Sequence, residues 1–162
     1  MDNAELDRVR AFLAEHTTMT LATVGPSGEP QAAAVFYAAD EQLNLFFLSS
    51  PTSRHSQNLL RDARVAATVQ ADGQAWQQIH GLQIEGRVRP VSGPELLHAT
   101  RVFAARFDFL SGLLADSGDV PAALSGPLAS NQFYVLRPTW IRLIDNMQGF
   151  GHKEEWTFDD DG

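Results

Sequence analysis

The sequence predicts a mainly β chain of six to seven antiparallel strands with flanking helices, an α+β fold or a decorated barrel and not a doubly wound sheet. Short stretches rich in β-branched residues recur between turn signals, and the two or three helical stretches do not alternate with them in a βαβ rhythm. Size agrees, since 162 residues with 44% hydrophobic content suit one domain with its own core.

Residues 4–15 place Leu6, Val9, Phe12 and Leu13 at helical spacing, with Asp2 or Asn3 available as the cap. Thr18–Val24 (TMTLATV) alternates as a strand and ends at the turn Gly25-Pro26-Ser27-Gly28. Gln31–Ala38 and Leu43–Ser49, joined across Ala39-Asp40-Glu41-Gln42, complete a meander. Ser50–Asp62 interrupts it with a short helix that Ser53 can cap, with Leu59 and Leu60 expected to face inward. Arg64–Gln70 (RVAATVQ) resumes the sheet, and after the turn at Asp72-Gly73 a long strand runs through Ile79–Val91.

Pro94–Leu114 reads as a helix with an apolar face of Leu96, Leu97, Val102, Phe103, Phe107 and Leu110. Residues 115–130 read as loop with a short helical turn. Phe133–Leu136 and Thr139–Ile144 form a last pair of strands, interrupted by Pro138. The chain divides into one domain, 1–156, and an acidic tail, 157–162.

Composition narrows the function. With no cysteine, disulfides, thiolate metal sites and cysteine nucleophiles are excluded, which fits a reducing cytoplasm. The charged start MDNAELDRVRAFLAEH is no signal peptide, and no apolar run approaches the ~20 residues of a membrane helix. A net charge of -8 disfavours a phosphate backbone, so nucleic acid is not expected as a partner, and without a long apolar run neither is a membrane. His16, His55, His80, His98 and His152 lack metal-ligand spacing, so no metal site is expected. The G-x-S-x-G turn of serine hydrolases is missing, and Gly25–Gly28 is too short and proline-stiffened for a P-loop.

The most informative segment is Leu45–Leu60, LFFLSSPTSRHSQNLL. A strand ends in the hydroxyls Ser49, Ser50, Thr52 and Ser53, and Arg54 and His55 open the next helix. Free N–H groups, hydroxyls and a guanidinium converging there make an anion site suited to phosphate. The same residues also read as a capped surface helix with a solvated arginine.

The order of parts around this segment adds weight. A three-strand meander, the Ser-Arg-basic helix start, the strand RVAATV and a long strand carrying GLQIEG together resemble the pyridoxamine 5′-phosphate oxidase-like family of FMN-binding split barrels. The resemblance covers roughly residues 10–92 and, more loosely, 131–156. It implies a homodimer with FMN at the subunit interface and a small-molecule substrate. By the same resemblance Arg54 matches the phosphate-binding arginine, and His55 stands where a second cation, usually lysine, is common. Leu48 and Ser49 hold the strand end near the phosphate, and Ser53 fits as a hydroxyl donor. Val35 and Phe36 lie on the strand whose edge runs along the isoalloxazine, although each also reads as core.

Gly81 falls where the vitamin-B6 oxidases place a glutamine against the flavin ring, so one ring hydrogen bond is lost; Gly81 and Gly86 also read as bulges. Trp76 reads equally as lining the flavin cleft or covering the barrel end. The stretch IDNMQGFGHKEEW resembles the tail of a subgroup in which this segment lies near the flavin, which makes His152 and Lys153 cofactor candidates. It also reads as a tail packed on a dimer partner. It lacks the arginine-and-histidine substrate pattern of the true vitamin-B6 oxidases, so that particular activity is not expected. The resemblance leaves haem open, with His55 or His152 as axial ligand, as well as deazaflavin and a non-catalytic flavin sensor. No catalytic acid or base is assigned.

Overall fold

A computed structural model describes residues 1–108 and 130–159. Helix α1 (Asn3–Glu15) opens the chain in a capping box: Glu5 N–H donates to Asp2 Oδ1 at 2.8 Å, and Asp2 N–H to Glu5 Oε2 at 2.6 Å. Strands β1 (Thr18–Val24), β2 (Pro30–Ala39) and β3 (Leu45–Ser49) form the meander. Helix α2 (Arg54–Leu59), β4 (Arg64–Gln70) and β5 (His80–Pro90) follow, with a 3₁₀ turn at Trp76–Gln78 before β5. Helix α3 (Glu95–Arg106), β6 (Gln132–Asp145), a second 3₁₀ turn at Asn146–Gln148 and β7 (Lys153–Thr157) complete the described elements.

The strands hydrogen-bond in the order β3-β2-β1-β4-β5-β6-β7, and β3 also pairs with β6. Six strands therefore close into an antiparallel barrel, with β7 as an extra strand on β6. Closure follows from alternation: β1 and β4 bury every second residue, so Met19, Leu21, Val65, Ala67 and Val69 point inward. Val9, Phe12 and Leu13 of α1 join this interior core, and the buried Tyr37 hydroxyl donates to the Leu13 carbonyl at 2.9 Å. A second apolar layer lies outside, where Ala99 and Phe103 of α3 cover Phe46, Phe133 and Val135.

Several expectations are corrected. Leu43 is not in β3: it sits at φ 64 in a turn whose backbone N–H groups at Gln42 and Asn44 both donate to Asp40 Oδ1 at 2.9 Å. Leu60 is 67% exposed, because α2 ends at Leu59. Leu97 points outward at 43% exposure, and α3 stops at Arg106; Leu110 and the stretch 109–129 lie outside the described residues.

Pro138 does not split a strand pair. β6 runs continuously through it, because the β5–β6 register shifts there. The segment read as a C-terminal tail is a tight connection, after which β7 pairs Lys153 with Ile144 and Thr157 with Trp140. Phe158 N–H also donates to the Thr139 carbonyl at 2.9 Å, so the sheet holds Thr157 and Phe158, which the sequence reading places in the tail. No helix among the described residues is long and apolar enough to cross a membrane.

Candidate functional site

The end of β3 and the start of α2 bring Ser49, Ser53 and His55 together. Ser49 Oγ lies 2.5 Å from His55 Nε2 and 3.2 Å from Ser53 Oγ, and Ser53 Oγ lies 3.1 Å from the same imidazole nitrogen. Ser53 caps α2 by accepting from Ser56 N–H at 3.3 Å and donates its hydroxyl to Ser56 Oγ at 2.8 Å. Ser49 and Ser56 are buried, whereas His55 is half-buried. With six residues α2 is too short to develop a strong dipole, so the donors here are side chains.

Two residues that sequence reasoning missed hold this cluster in place. Asn58, on the buried face of α2, donates from Nδ2 to Thr23 Oγ1 of β1 at 3.0 Å, and both residues are buried. Glu29 follows the β1–β2 turn, where its Oε2 accepts from Ser27 N–H at 2.8 Å and its Oε1 stands 3.5 Å from Arg54 Nη2. A polar residue on the inward face of a helix was the signal for Asn58. For Glu29 the sequence carries none, because its partner lies on another element.

Arg54 is 64% exposed on its side chain, so its guanidinium remains open to a ligand beside Glu29. Hydrogen bonds from the Glu29 and Ser27 backbones hold the Glu29 carboxyl below the usual carboxylate range, and Arg54 adds to this. Burial pushes the His55 imidazole below its ordinary value, so it is neutral near pH 7.

The other predicted residues separate. Val35 is buried in the barrel interior, so its side chain is core. Phe36 points the other way, 61% exposed, edge-on to Phe107 at 5.7 Å between ring centres. Leu48 packs under α3, away from Ser49, and pairs with Phe133.

Gly81, His152 and Lys153 gather elsewhere: Gly81 and Lys153 both pair with Ile144 near the far end of β6, whereas Ser49 pairs with Gln132 at its start. That is roughly 40 Å of extended strand, so one chain does not bring the two groups onto one small ligand. His152 Nε2 lies 3.2 Å from Glu154 Oε1. Beside it Asn146 donates to the Trp76 carbonyl at 2.7 Å, and Trp76 meets Phe150 edge-on at 5.7 Å, both rings largely exposed. Gly81 pairs regularly with Gln70; the β5 bulge position is Gly86.

A guanidinium, two clustered hydroxyls and an imidazole on one strand–helix junction are the donor set a phosphate ester takes. The barrel closed by the β3–β6 pairing, with β7 added on β6, defines an antiparallel split barrel. The model of the pyridoxamine 5′-phosphate oxidase family matches residues 6–145, and the chain belongs to that family.

Among relatives, the UPF0306 protein YhbP of Escherichia coli O157:H7 is 30% identical over 152 residues, covering 93% of this chain and 92% of that protein. A heme binding protein from Mycobacterium smegmatis shares the fold at TM-score 0.73 and 19% identity; 97% of this chain covers 59% of that one. The present chain thus spans about three fifths of that structure's length. HutZ, the heme storage protein of Vibrio cholerae, shares it at TM-score 0.59 and 16% identity, over 93% of this chain and 92% of that one.

Proposed function

We propose that the protein binds FMN non-covalently and acts in the cytoplasm as an oxidoreductase. It passes hydride or electrons between a nicotinamide cofactor and a small oxidised substrate. The observation that carries this reading is the cluster of Ser49, Ser53 and His55 at the end of β3, with the exposed guanidinium of Arg54 on the same helix start beside Glu29. Bound FMN supplies the hydride chemistry, and the chain supplies binding, orientation and electrostatics. Arg54 grips the phosphate, Ser49 and Ser53 donate to it, and the exposed Phe36 borders the path along which the ring extends over β2.

The active unit is a homodimer with FMN at the interface. Support comes from the two groups of site residues at opposite ends of β6, which a second copy can bring to one ligand. His152 and Lys153 of one protomer then approach the flavin held by its partner.

The test is the near-ultraviolet to visible absorbance of the purified protein, before and after FMN addition and desalting. Flavin bands that survive desalting are expected, and FMN at ~100 times its dissociation constant should add about 2.7 kcal/mol of stability. A colourless protein without this gain overturns the reading. Bands of a deazaflavin in the purified protein reassign the cofactor, and bound FMN that neither NADH nor NADPH reduces makes the protein a sensor.

Haem is the second reading, favoured by the fold shared with the Mycobacterium smegmatis protein. Here it asks His55 or His152 to leave existing hydrogen bonds, through Nε2 to Ser49 and Glu154 respectively. A Soret band on haem titration would establish it.

A further inference from the structure

We propose that His55 is a proton-coupled phosphate ligand: neutral in the free protein, its imidazole takes up one proton from solvent as the FMN phosphate docks against Ser49, Ser53 and Arg54. The proposal rests on the flavin reading and specifies how that same site selects a flavin carrying a phosphate.

The geometry supplies the reason. His55 Nε2 faces two hydroxyls, Ser49 Oγ at 2.5 Å and Ser53 Oγ at 3.1 Å. When the imidazole is neutral with Nε2 as acceptor, a hydroxyl proton is turned toward it and is lost to an incoming anion. When Nε2 carries a proton, both hydroxyls accept from it: Ser53 goes on donating to Ser56 Oγ, and Ser49 keeps its own proton to donate outward. One protonation therefore turns Ser49 from a donor to the imidazole into a donor to the ligand and adds a positive charge beside it. No covalent bond forms or breaks, and the proton comes from water or buffer.

Charge balance points the same way. Arg54 stands 3.5 Å from the Glu29 carboxylate, so this pair contributes little net charge. Strands β1 and β3 carry no ionisable side chain, and that of β2, Tyr37, is buried with its hydroxyl on the Leu13 carbonyl. Helix α2 bears only Arg54 besides His55, and Asp62 beyond its end is engaged by Arg64 at 2.6 Å. Arg61, next to Asp62, is exposed.

A phosphate dianion entering this half-buried junction thus meets donors but almost no net positive charge. Taking an anion out of water without a compensating charge is unfavourable. An imidazole is the group nearest neutrality that can supply the charge. Burial already holds His55 unprotonated at neutral pH, so the charge appears only with the ligand.

The experiment is FMN and riboflavin titration of the full chain, followed by flavin fluorescence from about pH 6.5 to 8.5, with calorimetry in buffers of different ionisation enthalpy. FMN affinity is expected to fall toward tenfold per pH unit as the pH rises, with uptake approaching one proton. Riboflavin, which lacks the phosphate, should bind with a flat profile. His55→Lys should bind FMN without the slope, because its charge is permanent, and His55→Gln should bind weakly and flatly. A slope unchanged in His55→Gln, or no proton uptake by the wild type, overturns the proposal while leaving FMN binding intact. If neither flavin binds at any pH, the flavin reading itself fails. Should both variants misfold, the buffer dependence of the wild-type enthalpy decides.

Discussion

Gly86 of β5 faces Pro138 of β6 at the single register shift of the β5–β6 ladder, where Glu85 still pairs with Trp140 and Thr139 is left over. A Cβ on Gly86 would stand 2.3 Å from the Arg137 carbonyl oxygen and 3.0 Å from its carbon, both backbone atoms that cannot yield cheaply. This close approach lets β6 run through a proline that has no N–H to give. Gly86→Ala should therefore destabilise the protein by about 1–3 kcal/mol or more. The urea midpoint should drop at constant slope, and an unchanged midpoint would mean the strands part at no cost.

Asn58→Ala tests the anchor of α2. Its loss leaves the Thr23 hydroxyl at 3.1 Å from Gln31 Oε1 but without its helix partner. Destabilisation of about 1–3 kcal/mol is expected for a buried polar pair broken on one side. Weaker FMN binding should accompany it, because α2 carries Arg54 and His55. Full FMN affinity in a destabilised variant would show that β3 alone positions the site.

Much of this architecture was legible. The strand alternation of β1 and β4, the Gly25–Gly28 turn and the Asp2 cap are local signals, and the structure keeps them. The junction of Ser49, Ser53 and His55 was legible too, since a strand end and a helix start adjacent in sequence must be adjacent in space. What escaped depends on partners distant in sequence. β7 looked like a tail because its five residues, KEEWT, bury only Trp156 and owe their order to pairing with β6. Pro138 looked like a break because the glycine that accommodates it lies on another strand. Glu29 could not be linked to Arg54 until the β1–β2 turn and α2 were placed side by side.

Arg54 and Glu29 make opposite predictions. Arg54→Ala removes a charged donor, so FMN binding should weaken by about 1.5–3 kcal/mol, roughly 10- to 150-fold. Glu29→Gln leaves Arg54 free of its carboxylate, so FMN should bind more tightly and with steeper salt dependence. Fluorescence titration at two ionic strengths reads both. If Arg54→Ala binds as the wild type does, the phosphate lies elsewhere.

Phe36 offers a probe of the proposed dimer. An aromatic ring 61% exposed on a strand face is unfavourable to leave in water and suits an interface anchor. Phe36→Asp should weaken association by about 2 kcal/mol or more, giving a monomer by sedimentation at concentrations where the wild type is dimeric. FMN affinity should fall in parallel if the flavin sits between protomers. A monomeric variant that keeps full FMN affinity would confine the cofactor site to one chain.

Stability against pH separates the ligand-free protein from the FMN complex. In the free protein burial depresses the His55 imidazole below its unfolded value of about 6.5, so between the two values the unfolded chain binds the extra proton. Stability should therefore decline as pH falls below about 6.5 and level off below the folded value, and His55→Gln should remove this component. Asp62 acts in a lower window. The Arg64 side chain, its backbone N–H and its charge pull this carboxyl to about 2, so the stability it contributes is lost only as pH falls from about 4 toward 2. Bound phosphate reverses the sign at His55 alone, because a raised imidazole contributes stability below its new value. Urea melts between about pH 5 and 8, with and without FMN, should accordingly slope in opposite directions. Parallel slopes would mean that His55 keeps its free-state protonation in the complex.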